Sequence, residues 1–510
     1  ITREPSEGQK QTDNLFDSAG PHYAELLAAS LGGSLTSSSQ KWFSLKARQE
    51  EINGIKEVRD WLEEVADRTY LAINQSNFTD EIHETYQDLV GFGTGCLYVD
   101  KGEAPRPNVF GGLRYQAIPV GEFAMAEGPD GRVHTLFRKL RMSHGALLEK
   151  FGAEALGPEL LERATNRPDD PVILCHAVYP RKDAPPQRRH QLARRMPWAS
   201  CYYTEQPARI IAEGGYQEFP FAVPRWAKTA GEIYGRGPAH TALPDIRTLN
   251  EAKRLYFEAA ALALAPPILE LEDSVIGTLS LEPAARNVER EKDSVRPLVL
   301  GERFDVAEAL KRDLNQAIAE LFFIPQLHLK DSPAMTATEV VQRQEEMQRL
   351  LGPTAGRLHS ELLSPTIERT IALLLRAGVL PPPPDALAQV DVDIDITYEG
   401  PLARAQKAVD LVAIERTMAW VGSVAGLKPE VLDLYDFDAM GEHVAEVAGM
   451  PSNLVRGMDQ VEQMRAARAQ QQAKVAQLQA LAGVAEAAGK AAPMARVLSD
   501  AAGSQAGVAA

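Results

Sequence analysis

Apolar residues recur every three or four positions over most of this chain and every second position over a smaller part, which predicts a mainly helical α+β protein. The longest helical pattern covers 335–377, with Val340, Met347, Leu351, Leu358 and Leu362 spaced seven and four apart. Thr336 with Glu339 three positions on predicts its start, because side chain and backbone can exchange two capping bonds there. Gly378 predicts its end. Gly352-Pro353, Gly356 and Ser364-Pro365 interrupt the run, since proline removes a donor and clashes with the carbonyl four residues back. The expectation is a long helix with one or two kinks, spanning roughly 60 Å and tying separate parts of the molecule together.

Two further long helical patterns cover 238–264 and 305–323. Near the N-terminus, Leu26, Leu27 and Leu31, then Ile55, Val58, Leu62, Val65 and Ile73, then Ile82, Tyr86 and Leu89 recur at helical spacing. From Thr94 the segments TGCLYVD, LRYQAIPV, RVHTLFRKLRM, VILCHAVYP and WASCYYT predict strands, broken by one helix from Ser143, its cap, to Phe151. ILELE and RPLVL predict two short strands about a polar segment, Glu282 to Arg296, that carries four basic residues. The strand VDVDIDITY alternates, with Val390, Val392, Ile394, Ile396 and Tyr398 on one face and Asp391, Asp393 and Asp395 on an exposed acidic one. Residues 403–457 read as helical, with a Val409, Val412 and Met418 stripe and breaks near 426–438. From Gln460 the chain is rich in Ala and Gln, with Val461, Met464, Ala467, Val475, Leu478 and Leu481 at helical spacing. That stripe is too thin to bury much alone, so the helix needs neighbours or frays after Gly483.

Composition narrows the function. With 510 residues, 45% hydrophobic and 24% charged, the chain can form two to four structural units. Cys96, Cys175 and Cys201 are too scattered for a disulfide framework or zinc site and read as buried small residues in a reducing compartment. A net charge of −16 argues against wrapping nucleic acid with a basic surface, though not against DNA passing through ungripped. The longest apolar run, Ala259 to Leu269, is broken by Pro266-Pro267 and is too short for a membrane span. Ile1 stands where an initiator methionine would, which implies that residues precede it.

Catalytic motifs are missing. The Gly489-Lys490 pair is followed by alanine, so there is no phosphate-cradling loop. Gly91, Gly93 and Gly95 follow a helix and precede a strand, the reverse of a dinucleotide site, and read as a tight turn. The basic stretch 181–195 has no aromatic interleaved for base stacking and reads as a solvated loop between strands. The Asp391 to Asp395 string lacks the glycine and distal glutamate of a calcium loop.

Three separated blocks, FPFAVPRWAKTAGEIYGRGPAHTALPDIRTLNEAKR, MTATEVVQRQEEMQRLLGPTAGRLHSELLSPTIERT and the tripeptide YEG, resemble in order the portal, or head-to-tail connector, proteins of short-tailed double-stranded DNA phages. The resemblance implies an α+β wing (1–237), stem helix (238–264), clip (265–304), second stem helix (305–323) and tunnel loop (324–335). A long kinked helix with a strand returning to the wing (336–402), a crown (403–457) and an Ala/Gln-rich barrel or frayed tail (458–510) follow. It implies a dodecameric ring at one capsid vertex, with DNA packaged and ejected through it. Partners would be capsid and scaffolding proteins, terminase, a tail adaptor and the DNA, with no membrane, cofactor, metal or catalytic residue. The location would be the virion, after assembly in the host cytoplasm. Gln326, His328 and Lys330 become channel-facing candidates, and Arg286, Arg290, Lys292 and Arg296 candidates for facing terminase or tail. The competing readings are a ring-forming adaptor or scaffold without a translocating channel, and a metal-dependent nuclease using the acids near Asp391.

Overall fold

The computed structural model describes residues 14–53, 55–103, 106, 110–181, 196–264, 266–270, 295–297, 304–327, 352–388, 394–398, 401–425, 428–447, 450 and 461–474. The chain is mainly helical α+β and divides into two compact units, Ile1–Lys46 with Glu64–Arg404, and Ala47–Glu63 with Ala405–Ala510.

The chain opens with α1 (Ala19–Leu35), β1 (Phe43–Ala47), α2 (Glu50–Asn53), α3 (Lys56–Asn74) and α4 (Phe78–Phe92), of which α2 and residues 56–63 of α3 belong to the second unit and α1 and α4 to the first. α1 packs on α4, and the predicted stripes are the buried ones: Leu27 and Leu31, Val65 and Ile73, and Ile82, Tyr86 and Leu89. Removing such side chains from water is the main stabilising term. Strands β2 (Leu97–Lys101), β3 (Leu113–Ala117) and β9 (Phe221–Ala222) form one small sheet in the order β3-β2-β9. A five-stranded antiparallel meander follows chain order through β4 (Phe123–Glu127), β5 (Val133–Ser143), β6 (Pro171–Pro180), β7 (Trp198–Glu205) and β8 (Ala208–Tyr216).

Period-two alternation sorts the meander's faces. Leu136, Val178, Phe123 and Met125 join Cys96, Ile118 and Phe221 in one core cluster. Farther along the same face, Val172, Leu174 and Ile211 meet Leu147, Leu156 and Leu160 of α5 (His144–Phe151) and α6 (Ala153–Asn166). Ser143 caps α5, its hydroxyl accepting from the Ala146 N–H at 3.2 Å. The opposite face is open, with Phe137, Ile173, Tyr179 and Ile210 exposed.

The remaining elements of the first unit are α7 (Pro238–Leu264), β10 (Ile268–Glu270), β11 (Val295–Pro297), α8 (Phe304–Leu321), α9 (Ile324–Leu327), helical residues 352–358 (α10), a π-turn (His359–Leu363), α11 (Ser364–Arg376), α12 (Asp385–Ala388) and β12 (Ile394–Tyr398), which pairs with β1. The second unit holds most of α13 (Pro401–Ala425), a 3-10 turn (Pro429–Leu434), α14 (Phe437–Val447) and helical residues 461–474 (α15). Asp436 caps α14, accepting from the N–H groups of Asp438 and Ala439 at 3.0 Å, and Asp438 pairs with Arg465 of α15.

Several expectations are corrected. The helix runs on through Ser364-Pro365, with the π-turn (His359–Leu363) directly before the proline. A second helix, α6, stands where only α5 is expected, its apolar stripe hidden by Gly157-Pro158. β1, β4 and β8 go unpredicted. The covered side of α13 is Val421, which is buried, with Leu411, Ile414 and Met418 half-buried, and it leaves Val412 exposed. Cys201 is only half-buried, because it lies on the meander's open side. Asp395 is half-buried and has a partner, so the acidic face is not simply solvated. α8 ends at Leu321 instead of 323, because Phe322 is drawn into the core and Phe323 takes a left-handed φ of 60°. The Thr336/Glu339 cap, the basic residues 182–195, Asp391 and Asp393 lie outside the described residues.

Candidate functional site

α7 and α8 pack along each other as a helix hairpin, and β10 and β11 close its tip with Ile268 opposite Pro297, Leu269 opposite Arg296 and Glu270 opposite Val295. The base of the hairpin is buried through Ala242 and Leu249 of α7 and Ile318 of α8. Farther out the packing stops, and Leu255, Phe257, Leu262 and Leu264 of α7 and Leu310 of α8 are exposed. Arg254, just before Leu255, is balanced on its own helix by Glu251 and Glu258. The chain before α1 is pinned to this hairpin. Asn250 accepts from the Phe16 N–H at 2.7 Å and donates to the Asn14 carbonyl at 3.0 Å, while Lys253 pairs with Asp17.

Behind the hairpin, residues 223–237 cross the end of α4. Gly93, at φ 75°, ends that helix, and a Cβ there would overlap the backbone nitrogen of Gly237. Arg225, 2% exposed, makes the central contacts. Its NH2 and Nε donate to Glu361 at 2.6 and 3.2 Å, its backbone N–H donates to the same carboxylate at 3.0 Å, and its NH1 donates to Glu127. Lys228 also donates to Glu127 at 2.5 Å. The bond from Lys228, then Arg225, holds the Glu127 carboxyl below the usual carboxylate range against the opposing effect of burial. A second buried arginine, Arg369 of α11, donates to Glu218 at 2.8 Å and to the Val99 carbonyl at 3.3 Å, and its guanidinium lies over the Tyr216 ring. Arg376 joins it on Glu218 at 2.6 Å. Buried guanidinium groups survive only where carboxylates and carbonyls take up their donors, and here they fasten α11 and the π-turn to both sheets.

Of the sequence candidates, Gln326 lies on α9 and Arg296 in β11. His328, Lys330, Arg286, Arg290 and Lys292 lie outside the described residues. Arg225, Glu127, Glu361, Arg369 and Glu218 carry no local motif that would single them out; only the fold brings together residues up to 151 positions apart. Among the described residues no three His, Cys, Asp or Glu are grouped to hold a metal ion, and no helix is long and apolar enough to cross a membrane.

Residues 1–455 match the family model described as bacteriophage head to tail connecting protein. The chain is 32% identical over 490 residues to a probable portal protein of Bordetella phage BPP-1, covering 92% of this chain and 85% of that one. It is 25% identical over 493 residues to a portal protein of Salmonella phage epsilon15, covering 94% and 86%. Among solved structures, a chain from the neck of an empty gene transfer agent particle, computed with C6 symmetry, aligns over 80% of this chain and 91% of its own at 13% identity and a TM-score of 0.38.

Proposed function

The chain belongs to the bacteriophage head to tail connecting protein family, and from that membership we propose that it acts as a phage portal, a dodecameric ring at one capsid vertex through which double-stranded DNA is packaged and ejected. The observation that carries the ring is the α7–α8 hairpin, whose outer half exposes five large apolar side chains, Leu255, Phe257, Leu262, Leu264 and Leu310. Leu255 with Leu262 and Phe257 with Leu264 lie on opposite sides of α7, since residues seven apart share a helix face and residues two apart do not; exposed apolar surface marks an interaction site, and repetition about an axis would cover both sides with the neighbouring subunits. In this reading the hairpin is the stem and β10–β11 belong to the clip that terminase and then a tail adaptor meet. Its role is structural, and energy for packaging comes from a separate motor. Twelve subunits of charge −16 carry about 190 negative charges, a wall that repels DNA and lets it slide.

Within the connector 324–335, Lys330 and His328 are the proposed channel-facing groups beside Gln326, and Arg286, Arg290, Lys292 and Arg296 the clip's basic groups. The purified full chain is expected to run as a ring of twelve by native mass spectrometry, with a central hole in negative stain. A chain that stays monomeric or dimeric at micromolar concentration counts against the portal reading. Replacing Lys330 and His328 with alanine is expected to leave the ring intact and change the salt dependence of packaging or DNA retention. An unchanged salt series would remove the loop from the channel.

A further inference from the structure

Among the described residues the long helix leaves α geometry at one place. In the π-turn the Ser364 N–H bonds the carbonyl of His359, five residues back, so the turn holds one residue more than an α-helix would. Two groups from distant parts of the chain grip it from different elements. Tyr398 of β12 spans both ends: its hydroxyl accepts from Ser364 Oγ at 2.6 Å and donates to the His359 carbonyl at 3.3 Å, and its ring stacks on His359 at 4.0 Å. Arg225 takes the middle, with its guanidinium and its backbone N–H both on Glu361. The neighbouring Trp226 lies against Phe323, the non-glycine residue with a left-handed backbone where α8 turns into α9. One dipeptide therefore touches both irregular points that bracket the chain between α8 and α11.

We propose that the π-turn is a helical register switch, kept in its surplus-residue form by Arg225 and Tyr398. Release of these grips lets the surplus residue pass into regular helix. A single residue taken up this way turns the residues of α10 about the axis by about 100° and shifts them by about 1.5 Å relative to α11. Such a step has two discrete ends and needs no unfolding. Pro365 offers a competing account, since a proline alone can force the turn that precedes it out of α geometry.

The test separates the two with conservative changes in the full chain. Glu361→Gln combined with Tyr398→Phe removes one charge and one hydroxyl while preserving shape. Structures of this double variant are expected to show 352–358 rotated by about 100°, with the Ser364 N–H moved to the Ser360 carbonyl. Pro365→Ala with both grips intact is expected to keep the π-turn. The proposal is overturned if the double variant retains the Ser364 to His359 bond, or if Pro365→Ala alone gives continuous α-helix. Amide exchange at 359–364 supplies a second readout: faster exchange in the double variant and unchanged exchange in Pro365→Ala support the grips, and the reverse pattern opposes them.

Discussion

His176 makes this fold sensitive to acid. It lies on the inner face of the meander, 3% exposed, with Nε2 at 2.9 Å from Ser200 Oγ and its ring stacked on Tyr202 at 4.0 Å. Burial, then the charges of Arg138 and Lys150, pushes its pKa down to about 3. A histidine depressed in the folded state adds stability above its unfolded value near 6.5, and that stability is lost as pH falls toward the folded value. Between pH 7 and pH 4 the chain is expected to lose on the order of 3 kcal/mol through this group. His176→Gln should flatten that part of a urea-denaturation series; a slope unchanged by the substitution would assign the acid sensitivity elsewhere. The sequence shows His176 inside a strand but not what it faces, because Ser200 and Tyr202 arrive from the next strand and Arg138 from the previous one. Arg225 and Arg369 are hidden for the same reason: a buried guanidinium reads like a surface one until the fold brings its carboxylates to it. The caps are legible, since Ser143 and Gly378 act on backbone groups within a few residues. Gly378, at φ 69°, donates to the Leu375 carbonyl, while Val379 donates to Leu374.

Between elements the least forgiving contact is the crossing of α4 and residues 235–237. Gly93 ends α4 in the left-handed region, Gly235 donates to Thr94 Oγ1 at 2.8 Å, and a Cβ at Gly237 would press on the carbonyls of Leu89 and Val90. Gly93→Ala is expected to cost about 3 kcal/mol through overlap with backbone that cannot step aside. Thermal unfolding of this variant beside Gly112→Ala checks it. Gly112 also has a positive φ but meets nothing within 4 Å, so the difference between the two isolates the close approach. Equal losses would reduce the effect to backbone conformation alone. From the sequence, GFGTG reads as a tight turn, and the long helices are visible because amphipathic periodicity over many residues is hard to mistake. The π-turn and α6 are not visible. Their partners come from distant parts of the chain: Arg225 and Tyr398 on the π-turn, and on α6 Arg209, which donates to the Ala155 carbonyl at 3.1 Å.

For the whole molecule, the outer half of the α7–α8 hairpin and the net charge make opposite demands. Leu255, Phe257, Leu262, Leu264 and Leu310 favour association through burial of apolar surface, about 25 cal/mol for each Å² removed from water. Subunits of charge −16 repel one another, and ions screen that repulsion over roughly 10 Å at 0.1 M salt. If apolar contact drives assembly, added salt strengthens it, whereas an interface built on opposite charges would weaken. Leu255→Ser combined with Phe257→Ser removes apolar surface at positions the isolated chain leaves exposed, so its fold and melting temperature as a monomer should change little. The double variant is expected to shift the population from rings to monomers at a given protein concentration, and the wild-type chain to assemble more completely as sodium chloride rises from low to high. Both are read by native mass spectrometry after exchange from each salt, or by analytical ultracentrifugation in it. A variant that assembles like the wild type would move the subunit contact away from this hairpin, and wild-type rings that dissociate with salt would make the contact electrostatic.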